Sequence, residues 1–228
     1  VGLGAAIFVL PTGSVSQYHT ELPGRVSLGS LFADSRFAWY TVSVLLTYAA
    51  FQTVLFHRIA LWEQAGMVVG LVSFWAGVSG WLSFPGRYLG PILARGDNGV
   101  RWNATVSLAL ALTIIPLITP TGPIVMILHF VFFGLVFGAV LPMRAAVMGT
   151  WFNGPNFGRI MGVQWTMAAF AGAAGPLLAG LSRDALGTYR PAMGIVLVCL
   201  VCAGGAILLA GRAAHRHPES SRTRRDTR

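Results

Sequence analysis

The chain has 228 residues, of which 55% are hydrophobic and only 10% are charged. Soluble globular domains carry about 25% charged residues, so this composition excludes an ordinary water-soluble fold. The formal net charge of +9 does not indicate nucleic-acid binding, because the arginines fall between apolar runs and in the last residues rather than along one face.

The first segment, residues 1–36, opens with the apolar run VGLGAAIFVL, which is too short to cross a bilayer. We interpret it as the end of a preceding helix followed by a cytoplasmic loop, so we expect the chain to be a fragment of a longer protein. Leu28, Leu31 and Phe32 share one face near the end of this segment. Either a short amphipathic helix on the inner leaflet or an ordinary loop fits them.

Residues 37–210 contain six apolar stretches of about the length that crosses ~30 Å of hydrocarbon. Because backbone polar groups in lipid must be satisfied internally, we predict an all-α membrane protein that forms a six-transmembrane-helix bundle. The last segment, residues 211–228, is polar and basic and is predicted to be a disordered cytoplasmic tail near anionic lipid headgroups. The six predicted spans are 37–56, 67–84, 103–118, 123–147, 160–181 and 191–210.

The placement of arginine predicts the orientation of these spans. If the first span starts in the cytoplasm, only Arg58, Arg183 and Arg190 of the 16 basic residues fall outside. Positive charge is enriched on the cytoplasmic side of membrane proteins. We therefore expect the N-terminal segment and the C-terminal tail to be cytoplasmic, in a multi-pass protein of the cell membrane.

Small residues recur at four-residue spacing, which lets helices approach closely in lipid. The pairs are Gly66 and Gly70, Gly134 and Gly138, Gly158 and Gly162, and Ala171 and Gly175. The fifth span also contains Gly175 followed by Pro176, which predicts a kink. Such a kink serves either a rocking motion between two states or static packing.

Polar side chains inside the spans are candidates for function, because burying them in lipid is costly. Thr41, Tyr48 and Gln52 share one face of the first span, where they either line a water-filled cavity or hydrogen-bond a neighbouring helix. His129, followed by Phe133, suits proton coupling or carboxylate binding. The alternative for both is simple packing.

Arg144 lies near the inner end of the fourth span, where it either snorkels to the headgroups, the interpretation we favour, or attracts an anionic substrate. Cys199 and Cys202 have the C-x-x-C spacing, but they lie in an apolar run with no second pair. We interpret them as helix residues. We therefore expect no catalytic residue, no metal and no cofactor.

Several stretches resemble the major facilitator superfamily. Residues 151–192 are similar to its fourth-to-fifth loop, fifth helix and following outer turn in the C-terminal half. The loop over residues 86–101 resembles the family's cytoplasmic gating loop through Gly90, Arg95 and Arg101, although Ala94 stands where the customary aspartate would be. The segment carrying His57, Leu61, Glu63 and Gly66 resembles bacterial monocarboxylate-type members.

The resemblance implies that the chain is the C-terminal six-helix half of a secondary transporter. Such a half works with an N-terminal six-helix half by alternating access. The implied substrate is a small solute, and among small solutes we favour a small organic acid. A proton is either co-transported with it or not. The resemblance leaves open whether transport is uniport, symport or antiport.

A rival interpretation comes from residues 77–80, which read GVSG and resemble the G-x-S-G motif of rhomboid intramembrane serine proteases. Ser79 would then need His129 within hydrogen-bond reach. The predicted orientation places Ser79 in the cytoplasmic half of its span and His129 in the outer half of another. We therefore expect the two side chains to stay apart. A third interpretation, a membrane subunit that does not transport, has no feature in its favour.

Overall fold

The computed structural model describes residues 27–94 and 98–215, and α-helices make up nearly all of both ranges. The predicted end of a preceding helix, the loop residue Arg95 and most of the predicted tail lie outside the described residues. Eight helices are present in these ranges: α1 (Leu28–Ala33), α2 (Ser35–Gln64), α3 (Val69–Leu93), α4 (Gly99–Leu112), α5 (Ile115–Ile118), α6 (Gly122–Trp151), α7 (Phe157–Leu186) and α8 (Arg190–His215).

Four of the six predicted spans fall within single helices that are longer than the predicted apolar runs; the span 67–84 begins two residues before α3, and the span 103–118 is divided between α4 and α5. α2 continues from the predicted end at Phe56 to Gln64, and α8 continues to His215, into the predicted tail. Five segments are long and apolar enough to cross a membrane: Ser35–Gln64, Gly99–Ile118, Gly122–Trp151, Phe157–Leu186 and Arg190–His215. The chain is therefore an all-helical, multi-pass membrane protein.

The helix α3 is not among these five segments, although it has 25 residues. Its glycine, serine and tryptophan residues lower the mean hydropathy of the segment, because none of these side chains scores as strongly apolar. Only Val72, Ser79, Ser83 and Gly90 of this helix are buried. The buried positions form a stripe along a single face of α3.

Local capping explains where the first two helices begin. The Ser27 side chain accepts a hydrogen bond from the backbone N–H of Ser30 at 3.2 Å, so it caps α1. Asp34 caps α2 in the same way through the backbone N–H of Arg36 at 2.9 Å. The Arg36 guanidinium also pairs with the Asp34 carboxylate at 2.6 Å.

The third predicted span is broken into α4 and α5. Pro116 has no N–H and its ring would clash with the carbonyl of Leu112, so the α-helix ends at Leu112. The backbone N–H of Leu117 then bonds the carbonyl of Ile114 at 2.9 Å rather than that of Thr113. The break leaves the Thr113 carbonyl free for another donor.

The long helices fall, in chain order, into two units of three helices, with the first unit comprising α2, α3 and α4–α5 and the second comprising α6, α7 and α8, and most of the packing joins one unit to the other. The main contacts are α3 with α6, α2 with α7, α2 with α8, α4 with α6, and α4 with α8. If α2, α3 and α4 are paired with α6, α7 and α8 in that order, the α3–α6 contact corresponds to the α7–α2 contact. By the same pairing, the α2–α8 contact corresponds to the α6–α4 contact, so the pattern of contacts between the helices is nearly symmetric.

Glycine allows the closest of these approaches. A Cβ on Gly138 would meet the carbonyl oxygen of Ser83, and one on Gly134 would meet that of Ser79. A Cβ on Gly175 would likewise meet the carbonyl oxygen of Ala49. These glycines were predicted as packing positions, and the predictions are confirmed.

The predicted contacts at the other glycine pairs are not formed within the described chain. Gly66, Gly70, Gly158 and Gly162 each have open space where a Cβ would stand. Gly66 instead adopts a positive φ of 84° in the turn after α2, a conformation that other residues avoid.

Candidate functional site

A buried polar cluster lies at the end of the bundle where α2 and α7 begin and α6 ends, which we call the Ser35 end. Arg144 donates from Nε to Oε1 of Gln164 at 2.8 Å. Gln164 donates from Nε2 to the hydroxyl of Thr41 at 3.2 Å. Gln164 has no exposed surface and Arg144 is only 4% exposed, so this is an interior network rather than a surface one.

Two aromatic rings cover the Arg144 guanidinium. Its Cζ lies 4.6 Å from the ring centroid of Trp165 and 5.7 Å from that of Tyr48, which are cation–π distances. Nη2 of Arg144 and the hydroxyl of Tyr48 are both buried without a hydrogen-bond partner. A cavity of about 20 Å³ lies beside them, lined by Tyr40, Ser43, Val44, Thr47, Tyr48, Asn103, Val140 and Arg144.

The favoured prediction that Arg144 snorkels to the headgroups is wrong. Arg144 stands about 11 Å from the midpoint of α6, which is within half the thickness of the hydrocarbon. Side chains in a helix lean toward its N-terminus, and for α6 that direction leads toward the membrane centre. Gln164 and the aromatic rings hold the guanidinium there.

A second buried arginine lies toward the opposite end of the bundle, which we call the Gln64 end. Arg58 is 7% exposed, and its Nη1 donates to the hydroxyl of Ser79 at 3.2 Å. Its Cζ lies 5.0 Å from the ring centroids of both Phe130 and Phe133. The sequence placed Arg58 in the outer segment that follows the first span, whereas α2 continues about two turns past the predicted end at Phe56 and Arg58 lies within the bundle.

The two arginine sites are equivalent when each helix of one three-helix unit is paired with the helix in the same position of the other unit. Arg58 lies on α2, bonds a side chain of α3 and meets rings of α6. Arg144 lies on α6, bonds a side chain of α7 and meets the Tyr48 ring of α2. Both arginines stand about two turns before the end of their helix, and both lean toward the middle of the bundle.

A continuous row of aromatic rings connects the two sites. The rings of Phe133 and Phe137 stack with centroids 5.6 Å apart, and Phe137 lies 5.3 Å from Phe51. Tyr48 then lies 4.7 Å from Phe51 and 5.2 Å from Trp165. We call the two arginine sites and this row the arginine–aromatic column. It includes the predicted residue Phe133.

His129 closes the break between α4 and α5. Its Nδ1 lies 2.7 Å from the Thr113 carbonyl oxygen, so Nδ1–H donates to the carbonyl that is left free where the backbone N–H of Leu117 bonds Ile114. The ring is 1% exposed and packs near Trp62, Phe130 and Phe133. This geometry favours the packing interpretation of His129, while its Nε2 is buried without a partner.

The rival serine–histidine pair is not formed. Ser79 accepts a hydrogen bond from Arg58, and neither ring nitrogen of His129 bonds Ser79. Ser79 lies level with Gly134, which is about 7.5 Å along α6 from His129. The described residues therefore contain no assembled Ser79–His129 dyad.

The three candidates predicted on α2 separate into two environments. Thr41 and Tyr48 are buried in the cluster around Arg144. Gln52 is half-buried and, with Tyr48, Phe56, Trp165 and Pro176, lines an open groove of about 520 Å³ between α2 and α7. Tyr48 and Trp165 thus stand between this groove and the Arg144 guanidinium.

The gating-loop and kink candidates lie elsewhere. Gly90 packs closely against Ala139 and Met143 of α6, and Arg101 is exposed on the first turn of α4. Gly175 lies against α2, and α7 runs through Pro176 as one helix. The carbonyl of Pro176 lies 2.9 Å from Nε2 of His57, which joins α7 to α2 at the Gln64 end.

The sequence analysis missed Gln164 and Arg58, although helical spacing carried a signal for both. Ile160, Gln164, Ala168 and Gly172 follow one another at four-residue steps and are all buried. Arg58 continues the buried row through Phe51 and Val54. A polar residue that continues an apolar row at this spacing faces the bundle interior.

No protein-family model matches the chain. It is similar to the multidrug efflux pump Tap of Mycolicibacterium fortuitum, with 26% identity over 197 residues. That region is 80% of this chain and 46% of the pump, so the chain spans just under half the length of this relative. The relative is an efflux transporter rather than an enzyme. With the five apolar helices, it supports a role for the chain in transport across a membrane.

Proposed function

We propose that the chain is the C-terminal six-helix half of a major facilitator superfamily transporter. In this proposal it moves a small solute across the cell membrane by alternating access against an N-terminal six-helix half. The observation that supports the proposal most is that the two arginine sites occupy equivalent positions in the two three-helix units. Inverted three-helix repeats within each six-helix half are characteristic of this superfamily.

The proposal requires α3 to cross the membrane as a sixth span. At 25 residues α3 is about 37 Å long, which exceeds the hydrocarbon thickness of ~30 Å. It packs along the middle of α6, from Ser79 against Gly134 to Gly90 against Met143. Because α6 is a candidate span, a helix that packs along its middle would lie in the same lipid. The exposed side chains of Trp81 and Phe84 suit that medium.

The surface for the N-terminal half is supported by small residues with open space above them. Gly77 and Gly80 on α3 and Gly158 and Gly162 on α7 have nothing within 4 Å of the point where a Cβ would stand. α7 is also the least buried of the five apolar segments. Small residues mark close helix contacts in lipid, so we assign these faces of α3 and α7 to the other half.

For the substrate, we propose a small organic acid. The groove between α2 and α7 has aromatic walls, and behind them lies the guanidinium of Arg144, which forms no ion pair among the described residues. An aromatic surface beside a guanidinium suits a molecule with an apolar body and a carboxylate. A second candidate, the export of drug-like compounds, is favoured by the name of the similar efflux pump.

Cysteine labelling tests the six-span topology. In a variant without Cys199 and Cys202, single cysteines replace Ser27, Asn153 and His215 at the Ser35 end, and Glu63 and Asp184 at the Gln64 end. We expect a membrane-impermeant maleimide to label the first three from the cytoplasmic side and the last two from the outside. If α3 does not cross, Ser27 and His215 will be labelled from opposite sides, and the proposal fails.

The substrate is tested separately, in cells that produce this chain together with its N-terminal half. We expect accumulation of radiolabelled short-chain carboxylates to change and ethidium export to stay unchanged. The opposite result would favour the export of drug-like compounds.

A further inference from the structure

The groove between α2 and α7 contains a polar side chain that no protein contact occupies. Gln52 lines this groove, is half-buried and forms no side-chain hydrogen bond within the described ranges. Gly172 faces it from α7, and a Cβ there would lie 3.2 Å from Cγ of Gln52. The glycine therefore leaves room for the amide, whose nitrogen donates hydrogen bonds and whose oxygen accepts them.

The rest of the groove offers mainly aromatic surface. The side chains of Phe56 and Trp165 are 68% and 49% exposed, and the ring of Tyr48 lies 5.2 Å from that of Trp165. The hydroxyl of Tyr48 is buried, so the groove meets its ring and not its polar atom. The other lining residues are alanine, glycine and proline. Gln52 is therefore the main source of hydrogen bonds for a ligand in the groove.

The charge around the groove favours an anion. Arg144 lies behind two of the rings, with its Cζ 4.6 Å from the centroid of Trp165 and 5.7 Å from that of Tyr48. The guanidinium does not line the groove, so its charge acts on a ligand there through space rather than by contact. Each acidic residue of the described ranges stands about 10 Å or more along its helix from the nearest lining residue; these acids are Asp34, Glu63 and Asp184.

The volume of the groove distinguishes among carboxylates. At about 520 Å³ it is within the range of sites that hold drug-sized molecules, which is ~300–1,000 Å³. A short-chain acid such as acetate would leave most of the aromatic wall uncovered, whereas an acid with a ring covers this wall and stacks on it. The wall and the volume together favour an acid that contains a ring.

We propose that the groove binds a ring-containing carboxylate, whose ring packs on Trp165 and Phe56 and whose carboxylate accepts a hydrogen bond from the amide of Gln52. The inference rests on the proposed transport of an organic acid and specifies its class. Gln52 acts by contact with the ligand, and the buried guanidinium of Arg144 does not touch it. A ligand without a ring, or without a negative charge, uses only one of these features and binds more weakly.

Fluorescence of Trp165 measures the binding of benzoate to the purified chain in detergent. Benzoate replaces chloride at constant ionic strength, and Trp165 reports because its ring is part of the groove. The chain contains seven tryptophans, so the saturable signal that is absent from Trp165→Phe belongs to this site. We expect benzoate to bind at least about tenfold more tightly than acetate, and also than benzamide, which has the ring but not the charge.

The same substitution at two positions of α2 assigns the hydrogen bond. Gln52→Leu keeps the approximate size but removes the donor, so the Kd of benzoate should rise about tenfold or more. Gln64→Leu makes the same change about three turns further along α2, outside the groove, and should alter the Kd by less than about twofold. Gln52→Asn keeps the amide on a shorter side chain and should raise the Kd about threefold, which keeps the test valid if Gln52→Leu does not fold.

The inference is overturned if quenching by benzoate is not saturable, if acetate binds as tightly as benzoate, or if neither substitution at Gln52 changes the Kd. Its failure is distinct from failure of the proposed function, which is tested by transport in cells that also produce the N-terminal half. Benzoate binding that depends on Gln52, without transport of any carboxylate, would contradict the proposed function and support the site. Carboxylate transport without benzoate binding would support the function and contradict the site.

Discussion

Replacing Gln164 with leucine removes the side chain that connects Arg144 to α2. Gln164→Leu keeps the approximate size of this fully buried side chain but deletes its acceptor for Nε of Arg144 and its donor to Thr41. Nε then joins Nη2 as a buried guanidinium atom without a partner. We expect the free energy of unfolding to fall.

The size of the loss follows from the two hydrogen bonds. A hydrogen bond to a charged group contributes about 1.5–3 kcal/mol. The bond to Thr41 joins two neutral side chains of different helices, and such bonds in membrane proteins average about 0.6 kcal/mol. We therefore expect Gln164→Leu to cost about 2–4 kcal/mol. In a double-mutant cycle with Thr41→Val, the coupling should be about 0.6 kcal/mol.

The measurement is reversible unfolding in mixed micelles, followed by circular dichroism, and the matched control is Gln52→Leu. Gln52 is half-buried and forms no side-chain hydrogen bond among the residues in the structure, so its replacement should change stability by less than about 0.5 kcal/mol. Equal stabilities of the two variants would refute the network. If Gln164→Leu does not fold, Gln164→Glu provides the comparison, because its carboxylate pairs with Arg144.

Two further predictions concern the fold. Gly138→Ala places a Cβ against the carbonyl oxygen of Ser83 and 2.9 Å from its Cα, so α3 and α6 must separate by roughly 1–1.5 Å at a cost of about 1–3 kcal/mol. Gly77→Ala, with open space around it, should be neutral or stabilising in the same unfolding assay. Equal effects would contradict the close packing. The pKa of Asp34 lies below its ordinary value of 3.8, because partial burial, which raises it, is outweighed by the hydrogen bonds and charge of Arg36. The stabilisation by this ionised cap is therefore present above about pH 4 and is lost as the pH falls through the lowered pKa. Asp34→Ala should lower the free energy of unfolding by about 0.5–2 kcal/mol at neutral pH and by progressively less in acid. A loss that does not depend on pH would refute the assignment.

Apolar runs predicted the positions of the long helices because the lipid requirement is simple and local. They did not predict the helix ends, since α2 and α8 continue through polar residues that the bundle buries or that extend past the hydrocarbon. The break at Pro116 was also missed, although proline gives a local reason for it. Its consequence, the hydrogen bond from His129, depends on a residue in another helix.

The candidate site was predictable only in part. Thr41, Tyr48 and Phe133 were selected from their own helices, and all three belong to the buried polar and aromatic contacts. The partners Gln164, Trp165 and Ser79 come from other helices, and no pattern within one segment gives the pairing between helices. The direction of Arg144 could have been deduced, because side chains on α6 lean toward the membrane centre.

The arginine–aromatic column lies where the two three-helix units meet. Each arginine forms its hydrogen bond within its own unit, Arg58 with Ser79 and Arg144 with Gln164. Each also meets at least one aromatic ring of the other unit, Phe133 for Arg58 and Tyr48 for Arg144. A rotation of one unit against the other would keep these two hydrogen bonds, but it would break those from Gln164 to Thr41 and from His129 to the Thr113 carbonyl. It would also disturb the close glycine packing of α6 on α3. These losses add to those of the cation–π contacts, which contribute about 0.5–2 kcal/mol each, so the two units resist such a rotation.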